Sequence, residues 1–334
     1  MIAARIKSPV IYAALLPLLL IVFLLALNVG PVEISLGKAW RDWIGSQTTI
    51  ETLILFDLRL PRALLALTIG ATLGLAGAAL QGLLRNPLAE PGIIGVSNGA
   101  ALGAVVVFYY GLSGLAWFML PLGGLLGAVI AVAVIFLLVG KSRSTITLIL
   151  AGIAINAIGG AMIALALNFA ASPYAMQEIV FWLLGSVANR SVNDLYIALP
   201  FMVVGWAMML YCGRFLNALT LGEETAGSMG FDVARMRLIL IIGVTASVGA
   251  AVSVAGNIGF IGLVVPHLLR PFVAYEPRRL LPASGVAGAI LLLVADIAVQ
   301  SMSETRELKL GVITSLVGAP FFLFLILKSR NTLQ

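Results

Sequence analysis

The sequence predicts an all-α, polytopic membrane protein with about ten transmembrane helices. Of its 334 residues, 61% are hydrophobic and only 10% are charged. A soluble core cannot bury that much apolar surface. The apolar segments are continuous rather than alternating, which is not the pattern of a membrane β-barrel. Charge-free intervals of about 20 residues, the length that crosses a bilayer, recur along the chain. These observations together favour a helical bundle in lipid.

Charge-free intervals divide the chain into ten predicted spans. The interval between Glu90 and Lys141 is about twice as long as one crossing, so we expect it to fold back at Gly111–Gly114. A short apolar segment at 178–186 cannot cross and is expected along the surface. Spans 1 to 10 are predicted at 9–29, 62–84, 92–110, 116–139, 145–170, 195–212, 238–256, 258–268, 281–301 and 311–327, within one transmembrane domain over 1–334.

Small residues recur at helical spacing on spans 2 and 7. Span 2 has no charge between Arg62 and Arg85 and ends in a turn with two prolines and a glycine. Small residues four apart form a smooth ridge against which another backbone can pack closely in lipid. The span 2 ridge is Gly70, Gly74, Ala78 and Gly82, and the span 7 ridge is Gly243, Ser247, Ala251, Ala255 and Gly259.

The distribution of basic residues predicts the orientation of the chain. With the amino terminus inside, thirteen of the 20 Lys and Arg residues fall on cytoplasmic segments and seven fall outside. Ten spans then place both termini in the cytoplasm, with spans 2 and 7 running in opposite directions. Two inverted five-helix halves are a known arrangement of transporters, and we expect it here.

Composition also limits the chemistry that this chain can perform. Cys212 is the one cysteine and His267 the one histidine, so the sequence excludes an internal disulfide and a multi-histidine metal site. We expect His267 to be structural. The net charge of +6 comes without a basic run or an aromatic platform, so nucleic acid is not an expected partner. The sequence shows no phosphate-binding G-x-x-x-x-G-K-[ST] loop and no nucleophile–base pair, and we therefore expect no enzymatic activity.

Several segments resemble one family along nearly the whole chain. They are RLPR at 59–62, QGLLRNPLAEPGIIGVSNGA at 81–100, WLLGS at 182–186, GFIGLVVPHLLRP at 259–271 and GAPFFLFLILK at 318–328. Together they resemble the FecCD-type permeases, the membrane subunits of ABC importers for iron–siderophore, haem and cobalamin. The resemblance implies a type II importer permease fold in the cell (inner) membrane.

The same resemblance implies a set of partners. The permease would form a homodimer, or a heterodimer with a second permease. Two ATPase subunits would hold ATP and Mg, so this chain needs no cofactor of its own. A periplasmic or lipid-anchored substrate-binding protein would deliver the substrate.

Arg59 and Arg62 are predicted at the outer mouth of span 2. One interpretation is anchoring at the interface, with Arg59 paired to Asp57. The other is docking of the binding protein, because exposed arginines pair well with carboxylates. The resemblance implies that these arginines meet glutamates of the binding protein. The family usually has a further arginine where this chain has Gln300, and Arg306 lies close enough in sequence to replace it.

The interval 213–237 is the longest predicted cytoplasmic loop of the second half. It contains two carboxylates, small residues and a methionine, and it is either a solvated acidic turn or a short helix that binds a groove of another protein. The resemblance favours coupling to the ATPase, because the family motif is Glu-Ala-Ala followed by Gly four residues later. The candidate coupling residues are Glu223, Glu224, Thr225, Ala226, Met229 and Gly230.

Two turns and two spans contain candidate gate or path residues. The alternative for the turns is ordinary helix capping. The resemblance implies that short uncharged side chains there narrow the cytoplasmic end of the path. The candidates are Gln81, Asn86, Leu88, Ser142, Ser144, Thr145 and Asn156. Asp296 is the one acid predicted inside a span, and a structural hydrogen bond is favoured over a proton relay, which would need ionisable neighbours.

The predicted function is import of an iron–siderophore complex across the cytoplasmic membrane, driven by ATP hydrolysis on a separate subunit. The same importer type with haem or cobalamin as substrate remains open. A second class is an ion-coupled secondary transporter, which would need intramembrane carboxylates or ion-binding unwound helices. Only Asp296 and the break between spans 7 and 8 favour that class.

Overall fold

The computed structural model describes residues 8–140, 145–302 and 308–330. Across these ranges the regular structure is entirely helical, which confirms the predicted fold class. The helices of spans 1 to 10 are Ser8–Asn28, Ile50–Leu83, Val96–Tyr109, Met119–Val139, Thr145–Asn168, Val192–Tyr211, Val233–Ala255, Ile261–Leu269, Pro277–Met302 and Leu310–Arg330. Shorter α-helices lie between them at Leu36–Ile44, Pro173–Leu183, Gly213–Leu219 and Glu223–Ser228.

Seven of the described helices are long and apolar enough to cross a membrane, and spans 3, 8 and 10 add shorter apolar helices. Spans 3 and 8 are short because each begins after a break inside the bundle. A 3₁₀ turn at Pro91–Ile94 precedes span 3, and span 8 begins at Ile261 beyond the break at Gly256. The backbone of Gly77, well inside span 2, lies directly against Gly262. Span 8 therefore begins beside the interior of the span 2 helix rather than beside one of its ends.

Two helix starts differ by five residues or more from the predicted bounds, and side-chain caps, rather than charges, determine where these two helices begin. The span 2 helix begins at Ile50 instead of 62, after a capping box between Thr49 and Thr52, and runs through a π-helical turn at Ile54–Arg59. Span 7 begins at Val233 instead of 238, after the Asp232 side chain accepts from the Arg235 N–H at 3.1 Å. The last five residues of the predicted 213–237 loop are thus helical.

The span 2 ridge packs against span 9. A Cβ atom at Gly70 or Gly74 would overlap the backbone of Gly288 or Ser284. Gly82, farther along the predicted ridge, instead faces the side chain of a leucine in the helix after span 6. Gly70 and Gly74 of the predicted ridge therefore contact the backbone of span 9 directly. Such close approach lets dispersion and backbone contacts hold helices together where lipid supplies no hydrophobic driving force.

The contacts between spans follow an inverted repeat. Span 2 packs on spans 8 and 9, and span 7 packs on spans 3 and 4. Gly249 of span 7 approaches Ala128 of span 4, and Gly124 of span 4 approaches Ser253 of span 7. Spans 2, 3 and 4 of the first half correspond to spans 7, 8 and 9 of the second half, so each of these contacts has a counterpart with the two halves exchanged. This pairing agrees with the predicted pair of inverted five-helix halves.

The segment predicted along the surface is partly packed. Its helix is Pro173–Leu183, and Ile179 and Trp182 on one face of that helix are buried. The Trp182 ring lies edge-on to Phe108 of span 3, with 6.0 Å between the ring centroids. The large apolar side chains on this face explain why the helix packs against span 3.

We expect Gly74→Leu to destabilise the protein, because the new side chain meets the Ser284 backbone, which cannot move aside. Overpacking of a tight site costs about 1–3 kcal/mol or more. Thermal unfolding of the purified protein in detergent measures the loss. Gly160→Leu on span 5 is the matched control, because no atom outside its own helix lies within 4 Å of a Cβ there. Equal losses in the two variants would contradict the ridge contact.

Candidate functional site

The bundle has two ends with different polar residues. The Arg62 end is where span 1 ends, span 2 begins and span 9 ends. The Arg85 end is where span 2 ends and span 9 begins, and there the Tyr12 hydroxyl of span 1 donates to the carbonyl of Arg279 at 2.9 Å. By the sequence prediction, the Arg62 end is outside and the Arg85 end is cytoplasmic.

Arg59 is buried, which corrects the expectation of an exposed arginine. Its side chain is 6% exposed, and Nη1 donates to the carbonyls of Leu27 at 3.0 Å and Asn28 at 2.7 Å. Nη2 donates to the carbonyl of Val32. These carbonyls belong to the end of span 1 and the segment after it, whose free carbonyl groups need donors. Arg59 therefore holds span 1 to span 2, and it is not paired with Asp57.

Arg62 is already bound to a carboxylate of its own chain. Its Nε and Nη2 donate to both oxygens of Asp296 at 2.8–3.1 Å, and Gln300 Nε2 adds a donor at 2.9 Å. The Asp296 side chain is 2% exposed and that of Arg62 is 23% exposed. This pairing is the structural role favoured for Asp296. Arg306, the third docking candidate, lies outside the described residues.

A short helix with an aromatic cluster covers the Arg62 end. Trp40 and Trp43 on this helix pack against Phe56, with ring centroids 5.1–6.2 Å apart. Lys38 donates to Glu51 at 2.6 Å, and this hydrogen bond raises the pKa of the Lys38 ammonium. The half-exposed tryptophans suit a membrane–water interface.

The candidate coupling residues form a short helix at the Arg85 end. The helix is Glu223–Ser228, between Gly222 and Gly230, which have φ angles of +111° and +90°. Ala226 is fully buried and its carbonyl accepts from the N–H of Phe231 at 3.2 Å. The helix is thus seated by one face on the rest of the chain.

The opposite face of this helix is available to a partner. Glu224 and Met229 are exposed, Met229 at 58% of its surface, and Thr225 is half-buried. Glu223 instead bonds Arg237 of span 7 at 2.9 Å, so it is not a free carboxylate for the ATPase. An exposed carboxylate beside an exposed, adaptable methionine suits a helix that binds a groove.

A cavity of about 1010 Å³ lies where the two half-helices begin. Spans 3, 5, 8 and 10 surround it, and of the described side chains that line it only Glu90 is ionisable. Glu90 accepts from the backbone N–H of Phe260. The polar lining residues are Glu90, Ser97, Asn98, Asn156, Asn257 and Ser315, and the remaining lining residues are apolar or glycine.

Among the gate and path candidates, Asn156 lines the large cavity. Its side chain donates to the carbonyl of Gly92 in the turn before span 3, and Asn98 donates to the Asn156 carbonyl at 3.4 Å. Asn86 accepts from the N–H of Leu88 at 2.9 Å, which closes the turn after span 2. These contacts give Asn86 and Asn156 structural roles at the edges of irregular backbone.

Gln81 is buried away from that cavity. Its Nε2 donates to the carbonyls of Gly262 and Leu263, at 3.2 and 3.3 Å, and its Oε1 accepts from Arg270 at 2.7 Å. It joins span 2 to span 8 rather than lining the path. Ser142 and Ser144 lie outside the described residues, and the side chain of Thr145 does as well.

No group of three or more His, Cys, Asp and Glu side chains in the described ranges is arranged to hold a metal ion. The His267 ring lies edge-on to Phe321, with 6.3 Å between centroids, at the end of span 8. Cys212 is buried at the end of span 6. Both residues take part in packing.

A membrane bundle with inverted halves, two half-helices that begin at an internal cavity, and a partly exposed short helix at one end defines a transport permease. The chain belongs to the FecCD transport family, whose model matches residues 18–328. It is therefore a permease of the ABC importer type, and the recognition from the sequence motifs is confirmed.

Named relatives carry different substrates. The chain is 34% identical to the iron(3+)-hydroxamate import system permease of Bacillus subtilis, covering 97% of this chain and 98% of the relative. It is 37% identical to the hemin transport system permease of Yersinia pestis (98% of each chain) and 38% identical to the vitamin B12 import system permease of Vibrio cholerae (92% and 93%). A solved metal-chelate type ABC transporter in an inward-facing conformation matches with a TM-score of 0.85 and 32% identity, over 96% and 99% of the two chains.

The sequence does not predict two contacts and one backbone break that organise the site. Arg62 and Asp296 are both candidates from the sequence, but nothing in it pairs residues 234 positions apart. The bond between Arg270 and Gln81 likewise joins residues far apart in the chain. The break is at Phe260, which adopts a φ angle of +68° where span 8 begins. Gly259 and Gly262 are the sequence signal for that break.

We expect Arg62→Ala to destabilise the protein, because Asp296 would remain buried without its cation. Removing one member of a buried ion pair costs about 3–5 kcal/mol. Thermal unfolding of Arg62→Ala, Asp296→Asn and the double variant gives a double-mutant cycle in which the combined loss is smaller than the two losses added. Arg41→Ala, at an exposed arginine of the same end, is the control. Strictly additive losses, or an equal loss in Arg41→Ala, would rule out the pairing.

Proposed function

We propose that this chain is the membrane permease subunit of an importer that moves an iron–siderophore complex across the cytoplasmic membrane, driven by ATP hydrolysis on a separate subunit. The family match over residues 18–328 is the observation on which the proposal rests. The cavity of about 1010 Å³ supports it, because a path with one ionisable lining residue has few groups that would retain a bulky polar chelate.

The choice of substrate follows from what the similar proteins have in common. Iron–hydroxamate, hemin and vitamin B12 are all large metal chelates, and the similar solved transporter is of the metal-chelate type. We propose the iron–siderophore complex because the hydroxamate permease aligns over nearly the whole of both chains. Haem and cobalamin are the alternatives within the same importer type.

A second permease, either an identical copy or a close relative, would complete the path. Span 5 is only 22% buried, and the large cavity is bounded by spans 5 and 10. Exposed apolar side chains on span 5 include Ile153, Ile158, Met162 and Leu165. Lipid can cover an apolar face, but the adjoining asparagine-lined cavity needs a polar or protein neighbour.

Two ATPase subunits would bind the Arg85 end through the exposed face of the Glu223–Ser228 helix. Glu224 and Met229 are the candidate contacts, while Glu223 stiffens the helix through Arg237. A substrate-binding protein would dock on the Arg62 end, where Arg62 is partly exposed and Arg59 supports the surface from within. This orientation places both termini in the cytoplasm and agrees with the distribution of basic residues.

An ion-coupled secondary transporter is the alternative of another class. It would require a carboxylate inside the membrane that can exchange a proton or a cation. Asp296 already has the Arg62 guanidinium on both oxygens, and this favours the ATP-driven proposal.

We expect proteoliposomes that contain this permease, its ATPase and its binding protein to accumulate a radiolabelled ferric siderophore only when ATP is supplied. The reason is that both carboxylates considered for ion coupling are already bound within the chain, Asp296 by Arg62 and Glu90 by the backbone N–H of Phe260. An ionophore that collapses the membrane potential, at constant ATP, is the control and should leave uptake unchanged. Uptake that follows the potential would overturn the ATP-driven mechanism, and accumulation of haem or cobalamin alone would overturn the substrate assignment.

We expect Glu224→Lys to weaken association with the ATPase subunit, since the variant reverses the charge of a carboxylate that is proposed to contact the ATPase. The affinity should fall about ten-fold or more, as is typical when the charge of an interface residue is reversed. Co-purification of the two subunits in detergent measures it. Glu33→Lys, an equal charge change at an exposed residue of the Arg62 end, should have no effect. Unchanged association in Glu224→Lys would remove this helix from the ATPase interface.

A further inference from the structure

A second, smaller cavity of about 210 Å³ lies at the Arg85 end. At about 30 Å³ per water molecule, it has room for roughly seven waters. It lies between the end of span 2, the turn after span 8 and the start of span 9. Its lining residues are Ala78, Gln81, Gly82, Arg85, Thr220, Arg270, Tyr275, Pro277 and Leu280. Two of these are arginines, and none is acidic.

The Arg270 side chain is held in place by a chain of hydrogen bonds. Gln81 Nε2 donates to two span 8 carbonyls, which directs its Oε1 at Arg270 Nη2, 2.7 Å away. A guanidinium has five N–H donors, and this bond uses one of them on a neutral partner. In the described ranges, neither Arg270 nor Arg85 has a carboxylate within ion-pair distance.

Glu276, the acid next to the lining residue Tyr275, is already bound to other side chains. Glu276 follows Tyr275 in the chain, accepts from Asn217 at 3.1 Å through one oxygen, and is paired with Arg279 through the other. It is not among the residues that line the cavity. The positive charge of the two arginines is therefore not balanced by the part of the chain that the structure describes around this cavity.

The backbone around the cavity is held in an uncommon conformation. Arg85 and Tyr275, which line it, have φ angles of +48° and +59°, and Ala274 has +54°. Such angles are unfavourable for residues with a Cβ and persist where the surrounding structure requires them. They turn Arg85 and Tyr275 toward a common space, although the like charges of Arg85 and Arg270 repel each other.

We propose that this cavity binds a phosphate group that carries net negative charge, supplied either by the headgroup of an anionic phospholipid or by free phosphate. Two guanidinium groups match the oxygens of phosphate by paired hydrogen bonds. Basic pockets between helices at the cytoplasmic surface are typical sites for anionic headgroups. The proposal does not depend on which substrate the permease transports.

Occupancy would connect three elements that meet at this end. Thr220 lies three residues before Glu223, so the cavity adjoins the loop with the candidate coupling helix. Arg85 belongs to the turn after span 2, and Arg270 to the turn after span 8. A bound phosphate would hold these turns together by charge-assisted hydrogen bonds, so we expect bound protein to unfold at higher temperature.

The first arm of the test uses nanodiscs. Thermal unfolding is compared in phosphatidylglycerol and in phosphatidylcholine, for the full chain and for Arg85→Gln, Arg270→Lys and Arg214→Gln. Arg270→Lys keeps the charge but loses the fork of donors. Arg214 is an exposed arginine of the same end that does not line the cavity, so Arg214→Gln is the matched control. Stabilisation by phosphatidylglycerol should disappear in the first two variants and persist in Arg214→Gln.

The second arm titrates inorganic phosphate into the detergent-solubilised protein. If free phosphate is the ligand, Arg85→Gln should weaken its binding about ten- to one-hundred-fold, the value of a lost charge-assisted hydrogen bond. Stabilisation by phosphatidylglycerol alone supports the lipid source, and binding of inorganic phosphate supports the free source. Should Arg270→Lys fail to fold, Arg85→Gln decides, because Arg85 is exposed.

Three results would overturn the proposal. The first is that neither ligand stabilises the protein. The second is that Arg214→Gln loses as much stabilisation as Arg85→Gln. The third is that Arg85→Gln weakens association with the ATPase subunit while lipid and phosphate responses are unchanged, which would assign the two arginines to acidic residues of that subunit.

Discussion

The close approach of span 2 to spans 8 and 9 is the contact on which the rest of the bundle depends. Lipid tails are as apolar as the side chains, so helices associate through backbone proximity rather than through exclusion of water. Gly70 and Gly74 meet span 9, and Gly77 meets Gly262 at the start of span 8. With span 8 placed against the interior of span 2, the chain must break inside the bundle. The residues of that break line one side of the large cavity.

Irregular backbone inside a membrane needs donors and acceptors from side chains, because water is absent except where a cavity admits it. Gln81 supplies donors to two carbonyls at the start of span 8, and Asn156 supplies one to Gly92 before span 3. Arg59 does the same for the last two carbonyls of span 1. Polar residues that the sequence suggested for gating or docking thus complete the hydrogen bonding of broken helices. A path role for Asn156 is compatible with this, since Asn156 also lines the large cavity.

The sequence was sufficient for properties that depend on composition and local pattern. Hydrophobic length predicts ten apolar segments, and the structure has seven helices long enough to cross a membrane and three shorter apolar helices among its described residues, while the motifs around Asn86 and Pro266 indicate the family. It was insufficient for contacts between distant residues. Arg62 and Asp296 lie on different spans, and helical periodicity cannot tell which spans are neighbours. Arg59 is only three residues from Arg62, which suggests a shared face, but the π-helical turn at Ile54–Arg59 precedes the regular helix and Arg59 points to span 1. Charges also misplaced the start of span 7, because Arg237 forms an ion pair from within the helix.

The two ends of the bundle differ in how their charges are balanced, and this difference bears on recognition. At the Arg62 end, the Arg62 guanidinium and the buried Asp296 carboxylate form an ion pair. A partner that bound Arg62 would have to compete with Asp296, and a buried carboxylate without its cation is costly. At the Arg85 end, Glu224 is exposed, and Arg85 and Arg270 face a cavity without an acid among its described lining residues. Unbalanced charge attracts a partner without first breaking an internal bond. In the proposed assembly, recognition through Arg85 and Arg270 would break no internal ion pair, whereas docking at the Arg62 end would rely on groups other than Arg62, such as the aromatic surface of Trp40 and Trp43.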